Sequence, residues 1–307
     1  MCKKRQSQIP VFFVHSGNQK YLSYTVKQAE KTNESVFLLG DNSNKAICKN
    51  WVCMDDYIAK DWENFSKTYK HMSTNPYLFE LNCFRRFFVS YQFAKKKGIS
   101  EFMMLDSDCL AYSDFSELDF SAYDAGMSIP KKQENYTWTA SPHASYWTIP
   151  ALEDFLKYLI YEYTENLKEL EEKWNYHQIH NIRGGICDMT LLYLWSISGR
   201  GFRILNTTLR LEEGTFDHFL SVTEGYQEGE FPVRKFCEIK KVKFIQEKAY
   251  FKNKSGSWIH TYTIHAQGKS KIYIKTLSEQ RNGYIYYVIV KMENVFGKIL
   301  RKMKVIK

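Results

Sequence analysis

The sequence predicts an α/β protein, a mixed sheet flanked by helices, on three observations. Phe102-Met-Met-Leu105 is an apolar run without alternation that stops on Asp106-Ser107-Asp108. Such a run reads as a strand covered on both faces. Near the start, Ile9-Pro-Val-Phe-Phe-Val-His15 and Ser35-Val-Phe-Leu-Leu39 bracket a helical stretch over residues 21–32, the strand–helix–strand spacing that opens a parallel sheet. The chain has 307 residues, 25% of them charged and 16% aromatic, enough to bury a sizeable core and typical of a folded protein. No Gly-x-Gly-x-x-Gly follows the first strand, which argues against a dinucleotide fold.

The elements follow in order. Ser16-Gly17-Asn18 makes a loop after the first strand, and Gly40-Asp41-Asn42 closes the second. Residues 57–69 are polar and aromatic, a helix of loose ends. Residues 79–97 form a longer helix whose Phe84, Phe87, Phe88 and Tyr91 fall at helical spacing and face the core, leaving Arg86 nearly opposite. Residues 124–128 and 145–149 read as further strands. Pro150 then starts a helix in the position proline favours, running with breaks to about Trp174. After a linker over 177–185, Asp188 stands at the start of another helix, where an acid suits the N-terminus and could serve simply as its cap. Residues 206–237 are loop-rich, with Gly214, Gly225 and Gly229. Residues 257–264 alternate as a strand that ends on His265-Ala-Gln-Gly268-Lys-Ser-Lys271.

The net charge of +9 favours an acidic partner: nucleotide phosphates, an anionic membrane or nucleic acid. More than half of it lies in residues 291–307, where Lys291, Lys298, Arg301, Lys302, Lys304 and Lys307 stand against Glu293 alone, so nucleic acid is disfavoured. The seven cysteines include no Cys-x-x-Cys, which disfavours zinc or a disulfide framework and fits free thiols in a reducing cytoplasm. The first eight residues, Met1-Cys-Lys-Lys-Arg-Gln-Ser-Gln8, lack the apolar core of a signal peptide, and no long apolar span follows.

Asp106 and Asp108 would sit at the carboxyl end of a strand, where ligands collect in open α/β sheets. An Asp-x-Asp there offers hard oxygen ligands to a divalent cation carrying phosphates, although Asp and Ser are also ordinary turn residues. His265 completes an Asp/Asp/His set, which suits Mn²⁺ with Mg²⁺ as the other candidate. Lys271 adds a point charge for a phosphate, and Gly268 admits a close backbone approach.

Taken together, Leu105-Asp-Ser-Asp108, His265-x-x-Gly268-x-x-Lys271, Arg86 and Gly184-Gly-Ile-Cys-Asp188 resemble the motifs of GT-A-fold, Rossmann-like nucleotide-sugar glycosyltransferases. The likeness is to family 8 and related bacterial polysaccharide and lipopolysaccharide enzymes, over roughly residues 9–275. The resemblance implies a hexosyltransferase using a UDP-hexose, a retaining outcome, and a glycan or lipid-linked glycan acceptor. It implies Asp106, Asp108 and His265 as metal ligands and Asp188 as the catalytic acidic residue. Ser16, Asn18, Asp41, Arg86, Asp106, Ser107, Gly268 and Lys271 would contact the nucleotide sugar. This chain departs from family 8 at Ile272-Tyr273 in place of Pro-Trp, at Met189 after Asp188, and at Ser141-Pro-His-Ala-Ser145, where a loop with Asn-x-Gly is expected. A catalytically lapsed binding module of the same fold and a nucleotidyltransferase are the competing readings.

Met292, Val295, Phe296, Ile299, Leu300 and Met303 fall at helical spacing among the terminal basic residues. The division expected is a transferase domain over 1–275 and, over 276–307, an amphipathic segment lying on the anionic inner face of the cytoplasmic membrane. The alternative is a terminal helix docked on the protein's own core.

Overall fold

The computed structural model describes residues 8–131, 133–222 and 231–305, with side chains of the last helix described as far as Arg301. The reading of residues 1–7 as part of a non-signal N-terminus, Gly225 and Gly229, and the side chains of Lys302, Met303, Lys304 and Lys307 lie outside the described residues. The elements run β1 (Val11–His15), α1 (Leu22–Thr32), β2 (Val36–Gly40), β3 (Trp51–Cys53), α2 (Lys60–Thr68), α3 (Tyr77–Lys97), β4 (Glu101–Leu105) and β5 (Cys109–Ala111). There follow β6 (Ala125–Ser128), β7 (Ser141–Thr148), α4 (Ile149–Thr164), α5 (Leu167–Ile179), α6 (Asp188–Ile197), β8 (Ile204–Asn206) and β9 (Gly214–Phe216). The chain closes with β10 (Val233–Arg234), β11 (Ile239–Lys240), β12 (Val242–Ile245), β13 (Lys248–Lys252), β14 (Trp258–His265), α7 (Ile274–Ser278) and α8 (Tyr284–Val305).

The fold is α/β, as the sequence predicts. A 7-stranded mixed sheet has the order β3-β2-β1-β4-β7-β6-β8. β1, β2, β3 and β4 are parallel, β7 runs antiparallel between β4 and β6, and β8 is parallel to β6. Its central strand is β4, whose Phe102, Met103, Met104 and Leu105 are buried on both faces. One face carries α2, α3, α4 and α6 over a cluster containing Phe84, Phe87, Phe88 and Tyr91, the aromatic stripe expected for α3. The other face carries α1 through Leu22, Val26 and Ala29.

A second sheet, β12-β13-β14-β5 with β9 beside β14, was only partly visible in the sequence. Its one predicted strand was β14, because the others are short or lie in loop-rich stretches. The expected strand at 145–149 instead begins at Ser141 and ends at Thr148, so residues 141–145 are the buried first half of β7 and not a loop. The helix from Pro150 divides into α4 and α5, broken at Glu165 and Asn166.

The second sheet packs on a third cluster with Tyr273, Ile274, Leu277 and Tyr287. Ile274 and Leu277 are fully buried there, and Tyr287 of α8 is nearly so. Tyr284 accepts a bond from the Cys237 N–H, its ring lies 4.0 Å from the Arg234 guanidinium, and Lys291 pairs with Glu238 at 2.8 Å. One face of the first two turns of α8 is therefore docked, while Ile285 and Ile289 on the same turns stay exposed. Beyond them Met292, Val295, Phe296, Ile299 and Leu300 are exposed, so the docked-helix alternative holds only for the start of α8. Among the described residues no helix is long and apolar enough to cross a membrane.

The sheet face under α3 is held by ring contacts, Phe93 meeting Phe12, Phe37 and Tyr57 at 5.1, 5.1 and 5.3 Å. Phe93→Ala should destabilise the fold by about 3–5 kcal/mol, read as a lowered urea midpoint, because the cavity would open between packed rings.

Candidate metal and donor site

The turn between β4 and β5 is where the two sheets meet. Asp106 donates its N–H to the His143 carbonyl of β7, and the Cys109 N–H closes the turn onto the Asp106 carbonyl at 2.9 Å. β5 then enters the second sheet, where its register sets Cys109 opposite His265, and Ala266 N–H bonds to the Asp108 carbonyl. Residues 157 positions apart in sequence are thereby fixed side by side. One ligand atom from each of Asp106, Asp108 and His265 falls within 4.8 Å of the others.

The orientation of His265 is set from behind. Its Nδ1 lies 2.8 Å from the His218 carbonyl, so Nδ1–H donates there and Nε2 faces Asp108 Oδ1 at 3.5 Å. A ring nitrogen tied to a backbone carbonyl, with the other aimed at carboxylates, is the arrangement of a metal-binding imidazole. The His143 ring, fully buried, stacks on it at 4.2 Å and 4°. Asp217 accepts the His265 N–H and is paired with buried Lys240. The donor set thus fits a divalent cation, and it fits Mn²⁺ or Mg²⁺ by its two hard carboxylates and one imidazole.

Charge is balanced closely. Burial would raise the Asp108 carboxyl, but the hydrogen bonds and charges of His265 and Lys271 hold it well below the usual carboxylate range. Burial would likewise lower His265, and Asp108 reverses this, leaving the imidazole above its ordinary value. Lys271 Nζ lies 3.0 Å from Asp108 Oδ2 and 4.8 Å from the centre of the Tyr21 ring. His143 is pushed well below its ordinary value by burial first and by His265 second, so it stacks as a neutral ring.

Arg86 lies between two carboxylates, donating Nη1 to Asp106 and Nη2 to Asp188. Asp188 is buried and is the first residue of α6; the cap position is Cys187, whose side chain makes no cap bond. Asp188 Oδ1 nevertheless accepts the Met189 N–H at the helix start, at 2.9 Å, while Oδ2 meets Arg86, so the carboxylate serves both. Burial raises the Asp188 carboxyl above its ordinary value, and the charge and hydrogen bond of Arg86 oppose that rise. Gly185, with φ 147°, lets the chain pass: a Cβ there would lie 2.2 Å from the Met72 carbonyl.

The remaining predicted residues lie along the same edge. Asp41 accepts from Ser16 Oγ at 2.6 Å and Gly17 N–H at 2.7 Å, bracing the loop after β1. Ser16 and Asn18 are exposed on that loop, Ser107 lies between the two aspartates, and exposed Gly268 (φ 58°) begins the turn Gly268–Tyr273 that carries Lys271. His143, His218, Asp217, Lys240 and Tyr21 went unread in the sequence. No motif marks them, and only the Ser141-Pro-His-Ala-Ser145 departure pointed at His143.

No family model matches the chain, and no curated protein matches it. Among solved structures it is similar to a glycosyltransferase involved in the glycosylation of the major capsid of PBCV-1, at 11% identity and TM-score 0.42, over 89% of this chain and 100% of that one. Mouse xyloside xylosyltransferase 1 aligns at 11% and 0.44 over 66% of this chain and 86% of that one. The bifunctional glycosyltransferase WbbM aligns at 11% and 0.44, over 90% of this chain and 52% of that one. At such values no donor, acceptor or chemistry transfers from them.

The charge state of His265 gives a directional test. Its folded-state value lies above 6.5, so below that value the imidazole holds a proton that a metal must displace. Mn²⁺ affinity, measured by calorimetry, should rise about tenfold per pH unit on the acid side and level off above the folded value. An affinity indifferent to pH would remove His265 from the ligand set.

Proposed function

We propose that the chain is a metal-dependent glycosyltransferase that moves a hexose from a nucleotide sugar, UDP-linked, to a glycan or lipid-linked glycan in surface polysaccharide synthesis. The observation that carries the reading is the convergence of Asp106, Asp108 and His265, from two sheets, beside Lys271 and the Arg86–Asp188 pair. Asp106, Asp108 and His265 would hold Mn²⁺ or Mg²⁺, which when bound supplies Lewis-acid charge for a diphosphate.

The chain's own groups divide the rest of the work. Lys271, whose side chain is 37% exposed, offers its ammonium to the departing phosphates. Asp188 lies on the sugar side and opposes positive charge as it develops at the anomeric carbon, in a reaction proposed to retain configuration. Arg86 fixes Asp188 and opposes its protonation. Asp41 shapes the nucleoside end by holding Ser16 and Gly17, next to Asn18, while Ser107 and Gly268 contribute backbone at the rim.

Chelation with EDTA should abolish release of nucleoside diphosphate from a panel of nucleotide sugars, and Mn²⁺ should restore it. Asp188→Asn should keep nucleotide affinity while turnover falls on the order of 10²–10³. Nucleotide binding with no turnover by the unmodified chain on any donor would favour the lapsed module, and full activity without metal would overturn the proposal.

The second half of α8 is proposed to lie on the anionic inner face of the cytoplasmic membrane, its apolar stripe in the headgroup region. Each basic residue near such a surface contributes about 1 kcal/mol. Because Tyr287 and Lys291 are docked, the informative truncation ends at Lys291. The full chain should float with anionic vesicles and dissociate at high salt, while the shortened one stays in solution and still hydrolyses donor. Equal flotation of both would count against an α8 anchor.

A further inference from the structure

A second apolar surface stands at the other side of the site. Leu78 and Phe79 at the start of α3 are 68% and 58% exposed, and Tyr77 beside them is 44% exposed. Ile179, the last residue of α5, and Ile182 just beyond it are 75% and 37% exposed. The two segments are stitched together: Thr74 N–H donates to the Gly184 carbonyl, Gly184 N–H to Thr74 Oγ1, and Ile186 N–H to the Met72 carbonyl. Both therefore border the entry to α6, whose first residue is Asp188.

This surface and α8 leave the fold at one edge. α3 leads into β4, so its N-terminal end lies at the carboxyl edge of the sheet, consistent with the Arg86–Asp106 contact. In α8, Tyr287 meets Tyr273, and one turn later Lys291 lines a cavity of about 170 Å³ with Gln267 and Lys269. α8 thus advances toward the His265 end of β14, and its undocked turns continue past that edge.

We propose that residues 77–79 with Ile179 and Ile182 form a second membrane contact, which rests an anionic phospholipid surface against the rim of the site beside Asp188. This deepens the anchor reading of α8. Its exposed apolar side chains offer roughly 300–500 Å², a patch large enough to mark a contact surface. Its make-up suits the headgroup boundary, since Tyr77 and Phe79 are interfacial residues and exposed His180 and Arg183 adjoin the isoleucines. Two contacts flanking one mouth would fix its height above the lipid, so a lipid-linked acceptor is met where it emerges.

The test uses the full chain with Leu78→Glu/Phe79→Glu, and separately with Ile299→Glu/Leu300→Glu. Binding is measured to vesicles of phosphatidylcholine with and without phosphatidylglycerol, alongside donor hydrolysis, thermal stability and mass in solution. All four side chains are exposed, so stability and hydrolysis should match the unmodified chain; Leu78→Ser/Phe79→Ser serves if the charged pair misfolds. The proposal expects each double variant to lose at least about tenfold in affinity for anionic vesicles. If the 78/79 variant binds as the unmodified chain does and the 299/300 variant does not, the rim contact is overturned and the α8 anchor stands. If the reverse holds, the α8 reading fails and the rim contact stands. A dimer that becomes a monomer in the 78/79 variant would make the surface a self-interface and overturn the proposal.

Discussion

The turn from Asp106 to Cys109 is a constraint on the whole molecule, because it is both the crossing between two sheets and the carrier of two carboxylates. Asp106 is bonded to β7 through its backbone, and Asp108 to β14 through its own. Any slip of β5 against β14 would carry His265 away from Asp108 and turn alternate side chains to the wrong face. Fold and site therefore share one register. Nearby buried carboxylates carry a debt of desolvation, met at Asp108 by Lys271 and His265 and at Asp188 by Arg86. Removing one partner of a buried pair typically costs about 3–5 kcal/mol, so Arg86, paired with buried Asp188, supports the structure.

Behind the site, Lys240 and Asp217 form an ion pair with both side chains fully buried. Such a pair is weak evidence for net stability. What it does here is geometric: Asp217 accepts the His265 N–H with one oxygen while Lys240 holds the other, and its carbonyl receives His143. The backbone of His265 is thereby fixed, and its imidazole is held by the stacked His143 ring of β7 and by the His218 carbonyl after β9. A flexible histidine would need ordering when a metal arrived; this one is already ordered.

The parts that were legible in the sequence are those with a local signature. β1, β2 and β4 showed as apolar runs, α3 as an aromatic stripe, and the Asp-x-Asp and His-x-x-Gly-x-x-Lys segments as chemistry at strand ends. The second sheet was largely hidden, since β5 and β9 have three residues each and draw their identity from β14, not from their own pattern. His143 was hidden for a similar reason: alternation is lost in a strand buried on both faces, so residues 141–145 looked like a loop. The stripe on α8 was visible, but Tyr287, nine residues before Phe296 and so on the opposite face of the helix, lies outside it, and periodicity alone does not say which face is covered. Only the position of the second sheet decides that.

The contrast between Arg86 and Lys271 narrows what each can do in the proposed reaction. Both are cations next to a metal-site carboxylate, and the sequence suggested both for the donor. The Arg86 side chain is 14% exposed, its two terminal nitrogens are committed to Asp106 and Asp188, and its Nε has no hydrogen-bond partner. To grip a diphosphate it would have to release a buried carboxylate. Lys271 has one carboxylate partner and a side chain more than twice as exposed, and a flexible stem can turn toward a phosphate without unpairing anything buried except Asp108. Asp108 keeps His265 when that happens. The division that follows is positional: in the proposed reaction Lys271 would be the cation able to follow a leaving group, and Arg86 the brace between Asp106 and Asp188.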